Sequence, residues 1–140
     1  MAGNATPIFS RIGAIGGIGS TTILTATGDY TGIGANNILI FTADATNGGF
    51  VQRIRFKAIG TNIATVMRIY INNGTTNGTA TNNVFYGEIS LPATTGSNTA
   101  ATVDVDYPLN IALPAGYRLY AGVATTVASG WVATVIAGAY

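Results

Sequence analysis

From Ser20 onward the apolar residues recur with a period of two, the spacing of a pleated strand and not of a helix. The clearest run covers residues 50–58. There Ile54, Phe56 and Ala58 share one face, and Arg53, Arg55 and Lys57 share the other. Residues 63–71 follow, with Ile63, Thr65, Met67, Ile69 and Ile71 on one side. Ala64, Val66, Arg68 and Tyr70 lie on the other, so both sides are expected to be partly buried. Gly60-Thr61-Asn62 between the two runs has the length of a hairpin turn. Further strands are predicted over residues 21–27, 37–43, 84–91, 102–107, 117–125 and 131–137. These segments are β-branched or aromatic and are punctuated by Gly, Asn and Pro. No segment reads as a helix.

Turn chemistry separates these runs. Residues 72–83 form a polar tract with two Asn-Gly signals, and residues 92–98 form another. Ile89-Ser90-Leu91-Pro92-Ala93 is echoed by Ile111-Ala112-Leu113-Pro114-Ala115. Proline has no backbone donor, so each Leu-Pro-Ala marks a strand end or an edge. Eight short strands with turns between them predict an all-β chain: a single β-sandwich or jelly-roll-like domain over residues 20–140. Residues 1–19 read as an extended N-terminal arm. Ile12-Gly13-Ala14-Ile15-Gly16-Gly17-Ile18-Gly19 is too rich in glycine for a helix and too apolar for a solvated linker. It is expected to dock on a neighbour, or else to form a terminal strand or a lead-in.

Composition then narrows the function. The 140 residues include no His and no Cys, and only 8% are charged, against roughly 25% in an ordinary soluble domain. Hydrophobic residues make up 48% and the net charge is +1. A surface of Thr, Asn, Ser, Gly and Ala in place of a charged coat suits a protein packed against something else. There is no global field to attract nucleic acid or an anionic membrane, and no apolar stretch approaches a membrane span of about 18 residues. Neither is expected as a partner. No basic residue precedes Arg11, and glycines break the apolar run after it, so the start makes a poor signal peptide. Exit by lysis or as part of a particle is the expectation.

The chemistry available is thin. Without His or Cys there is no Ser-His-Asp triad and no thiolate metal site. The acids are Asp29, Asp44, Glu88, Asp104 and Asp106. Asp104 and Asp106 share a strand face about 7 Å apart, within the range of a glycosidase pair, but a solvated strand face explains them more simply. They lack the further oxygens that calcium takes. Gly13, Gly16, Gly17 and Gly19 miss the spacing and flanking elements of a phosphate loop. No catalytic residue, cofactor or metal is therefore assigned. Arg53, Arg55 and Lys57 make a basic stripe that either meets an acidic patch on a protein partner or only solubilises an edge. Trp131 with Tyr86, Tyr107, Tyr117 and Tyr120 suits a core or an interface, with a sugar-stacking platform as the alternative.

Residues 60–140 also resemble small all-β proteins encoded among the virion genes of tailed bacteriophages. The resemblance is carried by Arg68-Ile69-Tyr70-Ile71-Asn72-Asn73-Gly74, by Tyr86-Gly87-Glu88-Ile89-Ser90-Leu91-Pro92, by residues 107–117 and by Gly130-Trp131. It implies a capsid decoration (cement) protein on the virion surface, made in the bacterial cytoplasm. It also implies two partners: the major capsid protein, and the chain itself as a homo-oligomer, expected to be a trimer. Arm residues Ile8, Phe9, Ile12, Ile15 and Ile18, with the stripe Arg53, Arg55 and Lys57, are the expected interface. Deleting residues 1–19 should weaken attachment and leave the sandwich folded. A tail or baseplate component displaying the 72–83 loop, or a carbohydrate-binding module built on Trp131, are the alternative functions.

Overall fold

The computed structural model describes residues 10–27 and 29–140. Eight strands run in order: β1 (Ile12–Gly16), β2 (Ile38–Thr42), β3 (Gly49–Ala58), β4 (Thr65–Asn72), β5 (Asn83–Leu91), β6 (Asp104–Leu113), β7 (Arg118–Val123) and β8 (Trp131–Ala139). A single 3₁₀ turn, Ala80–Asn82, is the only helical element among the described residues. The strands form two antiparallel four-stranded sheets, ordered β1-β8-β3-β6 and β2-β7-β4-β5. The pairings nest: β1 with β8, β2 with β7, β3 with β6 and β4 with β5. The two sheets pack together as a β-sandwich.

The alternation read from the sequence generates the core. Val51, Ile54, Phe56, Trp131 and Val135 project from one sheet. They meet Ile40, Met67, Ile69, Leu119 and Val123 from the other. Arg53, Arg55 and Lys57 stand on the outer face of β3, as the pattern of that run requires. Strand β4 is covered on both sides. Its outer residues Arg68 and Tyr70 are buried beneath the loop at Asp29–Thr31. The Tyr70 hydroxyl and Arg68 Nη1 both donate to the Asp29 carbonyl, at 2.8 and 3.1 Å, and the Tyr30 ring lies 4.0 Å from the Arg68 guanidinium. The Asp29 carboxylate shapes this loop by accepting from the Thr31, Gly32 and Gly34 amides.

Of the readings open for residues 12–16, the terminal strand is the one found: they form β1, paired in register with β8. Three expectations need correction. Residues 21–27 are not a strand. They make only the bridges Ile23↔Trp131 and Ala26↔Val123, because this segment passes from one sheet to the other. Gly60-Thr61-Asn62 does not close a hairpin, since β3 and β4 lie in different sheets. Strand β6 runs past residue 107 through Pro108 to Leu113. An edge strand tolerates the missing donor, and the register against β3 shifts at this point. Both Leu-Pro-Ala sequences do end strands, β5 at Leu91 and β6 at Leu113.

Asn62 holds the crossover. It is 3% exposed. Its Oδ1 accepts from the Ser129 and Gly130 amides at 2.9 and 2.7 Å, and its Nδ2 donates to the Gly130 carbonyl at 3.1 Å and to Thr94 Oγ1 at 3.2 Å. One buried amide thus joins the β3–β4 connection to the entry of β8. Asn62→Ala leaves the buried Gly130 amide and the partly buried Ser129 amide without this partner, so it should lower unfolding free energy by about 1–3 kcal/mol in urea titration. A cost under about 0.5 kcal/mol, the range of a neutral surface change, would show that the crossover does not depend on it.

Candidate interaction surface

The basic stripe meets its counter-charges inside the fold. The β3–β6 register sets Arg55 opposite Asp106 and Lys57 opposite Asp104. Arg55 grips Asp106 with two hydrogen bonds, Nε to Oδ1 at 2.9 Å and Nη2 to Oδ2 at 3.2 Å. Arg53 approaches Asp106 at 3.8 Å, while Arg55 and Lys57 each lie 3.7 Å from Asp104. Lys57 Nζ also donates to the Thr102 carbonyl. The stripe is therefore an interleaved charge ladder. Its signal was present in the sequence, since Asp104-x-Asp106 repeats the spacing of Arg55-x-Lys57, but the register needed to join them was not. The hydrogen bond from Arg55 holds the Asp106 carboxyl below the ordinary carboxylate range. A general acid needs the opposite shift.

The remaining interface candidates gather on the opposite edge of the sandwich. Ile8 and Phe9 lie outside the described residues. Ile12, Ile15 and Ile18 are 68%, 52% and 84% exposed, and Leu39, which sequence reasoning missed, is 40% exposed. Strand β1 is the edge of one sheet and β2 the edge of the other, so the two run side by side. Gly17, at φ 89°, turns the chain out of β1 where a side chain would strike the Ala133 carbonyl, and Ile18 follows in the open. Between the strands lies a groove of about 400 Å³, bordered by Ile15, Gly16, Ile18, Leu39 and Phe41. No charged residue occurs from Ile12 through Thr27, or from Asn36 through Ala43. The other edge, formed by β6 and β5, carries Asp104, Asp106, Pro108 and Glu88.

The other two candidate surfaces differ: the aromatic one is lost, while the 72–83 loop is ordered and exposed. Trp131 is fully buried, which removes it as a sugar platform. The 72–83 tract is tied down, with Asn77 Nδ2 donating to the Gly32 carbonyl and Asn83 Nδ2 to the Thr31 and Asn77 carbonyls. Among the described residues no three acidic side chains converge to hold a metal ion.

No family model, curated protein or solved structure matches the chain.

The ladder has a definite pH signature. A carboxyl whose folded pKa is lowered contributes stability above its unfolded value, near pH 4, and loses it as pH falls through the folded value. Asp106→Asn should therefore flatten the dependence of Tm on pH below about pH 4 and lower Tm slightly at neutral pH. Because the pair is exposed, that difference should fade at about 1 M salt. An unchanged acid limb in a Tm–pH series would contradict the ladder.

Proposed function

We propose that the chain is a non-enzymatic structural protein of a virion, a decoration protein that reinforces a bacteriophage head by binding across major capsid protein subunits. The observation that carries this reading is the uncharged, apolar edge formed by β1, Ile18 and β2 on a sandwich whose charged stripe is satisfied internally. A soluble monomer commonly guards an edge strand with charge or proline. Here the guarded edge is the other one. The resemblance of residues 60–140 to phage virion proteins points the same way. The edge supplies the contact, and burial of a large aliphatic side chain contributes about 1.5–3 kcal/mol. Arg53, Arg55 and Lys57 are left a minor role, since Asp104 and Asp106 engage them.

The test is co-sedimentation with heads assembled from the major capsid protein of the same virus. Deleting residues 1–19 is unsuitable, because it removes β1 and uncovers β8. Deleting residues 1–9 spares every described strand, and Ile18→Glu charges the edge without touching the core. Each should weaken binding at least about tenfold, the equivalent of one lost aliphatic contact. Binding equal to that of the intact chain in both variants would rule out this edge. Labelling confined to tails would move the protein to the tail.

A further inference from the structure

We infer that β1 is a self-complementary edge through which two copies of this chain pair, antiparallel, about a twofold axis. The inference rests on reading this edge as an assembly contact, but not on the particle being a phage head.

The backbone provides the first argument. Ile23 and Trp131 exchange two hydrogen bonds, so Trp131 turns its amide and carbonyl toward the β1 side of β8. Alternation carries this to Ala133, Val135, Ala137 and Ala139. Their register partners Gly16, Ala14 and Ile12 therefore bond inward, to β8. Gly13 and Ile15 turn their N–H and C=O groups to the open side.

The side chains provide the second argument. Strand β1 reads Ile12-Gly13-Ala14-Ile15-Gly16. Run antiparallel against itself and centred on Ala14, it sets Ile12 against Gly16 of the second copy, Gly13 against Ile15, and Ala14 against Ala14. Each large residue meets a glycine. The same register joins the outward-facing groups of Gly13 and Ile15 in about four hydrogen bonds. Space is present on the outer face: nothing lies within 4 Å of where a Gly13 side chain would project, so Ile15 of the second copy fits there. The inner face is closed directly over Gly16, where a side chain would strike the Ile40 carbonyl and the Phe41 ring. Ile12 of the second copy therefore lies beyond Gly16, toward the groove bordered by Leu39 and Phe41.

Charge provides the third. The one charge flanking β1 is Arg11, which this register places opposite Gly17. The two Arg11 side chains then start about 20 Å apart, at opposite ends of the paired strands. On the second edge, β2, the Ser20 hydroxyl already caps the Leu39 carbonyl at 3.2 Å, which leaves β1 the freer ladder. A strand that meets its own copy makes an isologous contact, which closes on two chains. This contact is therefore twofold, in place of the trimer expected from the resemblance.

The experiment uses the full chain alone in solution, so its outcome does not depend on any capsid. The chain has no cysteine, which makes cross-linking unambiguous. The proposed register brings the two Ala14 Cα atoms to about 4.5 Å, within disulfide range. Under mild oxidation Ala14→Cys should give a covalent dimer that thiol reverses, while Asn98→Cys in a distant exposed loop should not. In sedimentation equilibrium the native chain should show a concentration-dependent dimer. Ile15→Lys should weaken it at least about tenfold, as loss of one aliphatic contact requires, with the circular dichroism of the native sandwich retained. Cross-linking of Ala14→Cys no faster than Asn98→Cys would overturn the proposal. So would a monomer at every concentration, or a trimer indifferent to Ile15→Lys. None of these results would by itself remove the capsid-binding reading, which co-sedimentation tests.

Discussion

The structure depends on the placement of its last strand. β8 lies between β1 and β3, so the sheet that contains β1 is incomplete until β8 arrives. β8 also brings Trp131, which is fully buried, and Val135 into the core, and its entry is clasped by Asn62 from the β3–β4 crossover. Ile23 bonds to Trp131 in both directions and so extends the β1 side of β8 beyond β1 itself. Most strands pair with partners distant in sequence. Such a topology has to close long loops before its contacts form, which slows folding.

The same winding sorts the surface. It brings β3 beside β6 and so turns two unrelated stretches, 53–57 and 104–106, into one charge ladder. It leaves β1 and β2 together at the other edge with no ionic residue between Ile12 and Gly16 or between Ile38 and Thr42. The chain has few charges, and several of them are committed on one side. What remains on the other side is backbone hydrogen-bonding capacity and aliphatic surface.

Much of this was legible in the sequence, and what was missed has a common cause. Period-two alternation located β3, β4, β5, β7 and β8 because each buries one or both faces in the sandwich. It missed the length of β6, because Pro108 and Asn110, at φ 51°, interrupt the pattern on an edge strand that tolerates both. It took residues 21–27 for a strand from their β-branched residues, although only Ile23 and Ala26 there form bridges, one to each sheet. Ile12, Ile15 and Ile18 stood out in the sequence from their apolar character amid glycine, and the structure leaves all three exposed. A terminal strand was among the readings open for residues 12–16; its partner was not legible, because β8 lies more than a hundred residues away. Leu39 and the ladder were hidden for the same reason: each is defined by what stands across from it, which is a matter of register.

Residue-resolved amide exchange along β1 tests the central claim most directly, since neighbouring residues there face opposite ways. In dilute protein Ala14 and Gly16, bonded to β8, should exchange slowly, while Gly13 and Ile15 exchange fast. At high concentration or on the assembled particle Gly13 and Ile15 should become protected as well. If these two amides stay fast in every state, β1 is an unused edge, and the account of this protein as one that assembles through it is wrong.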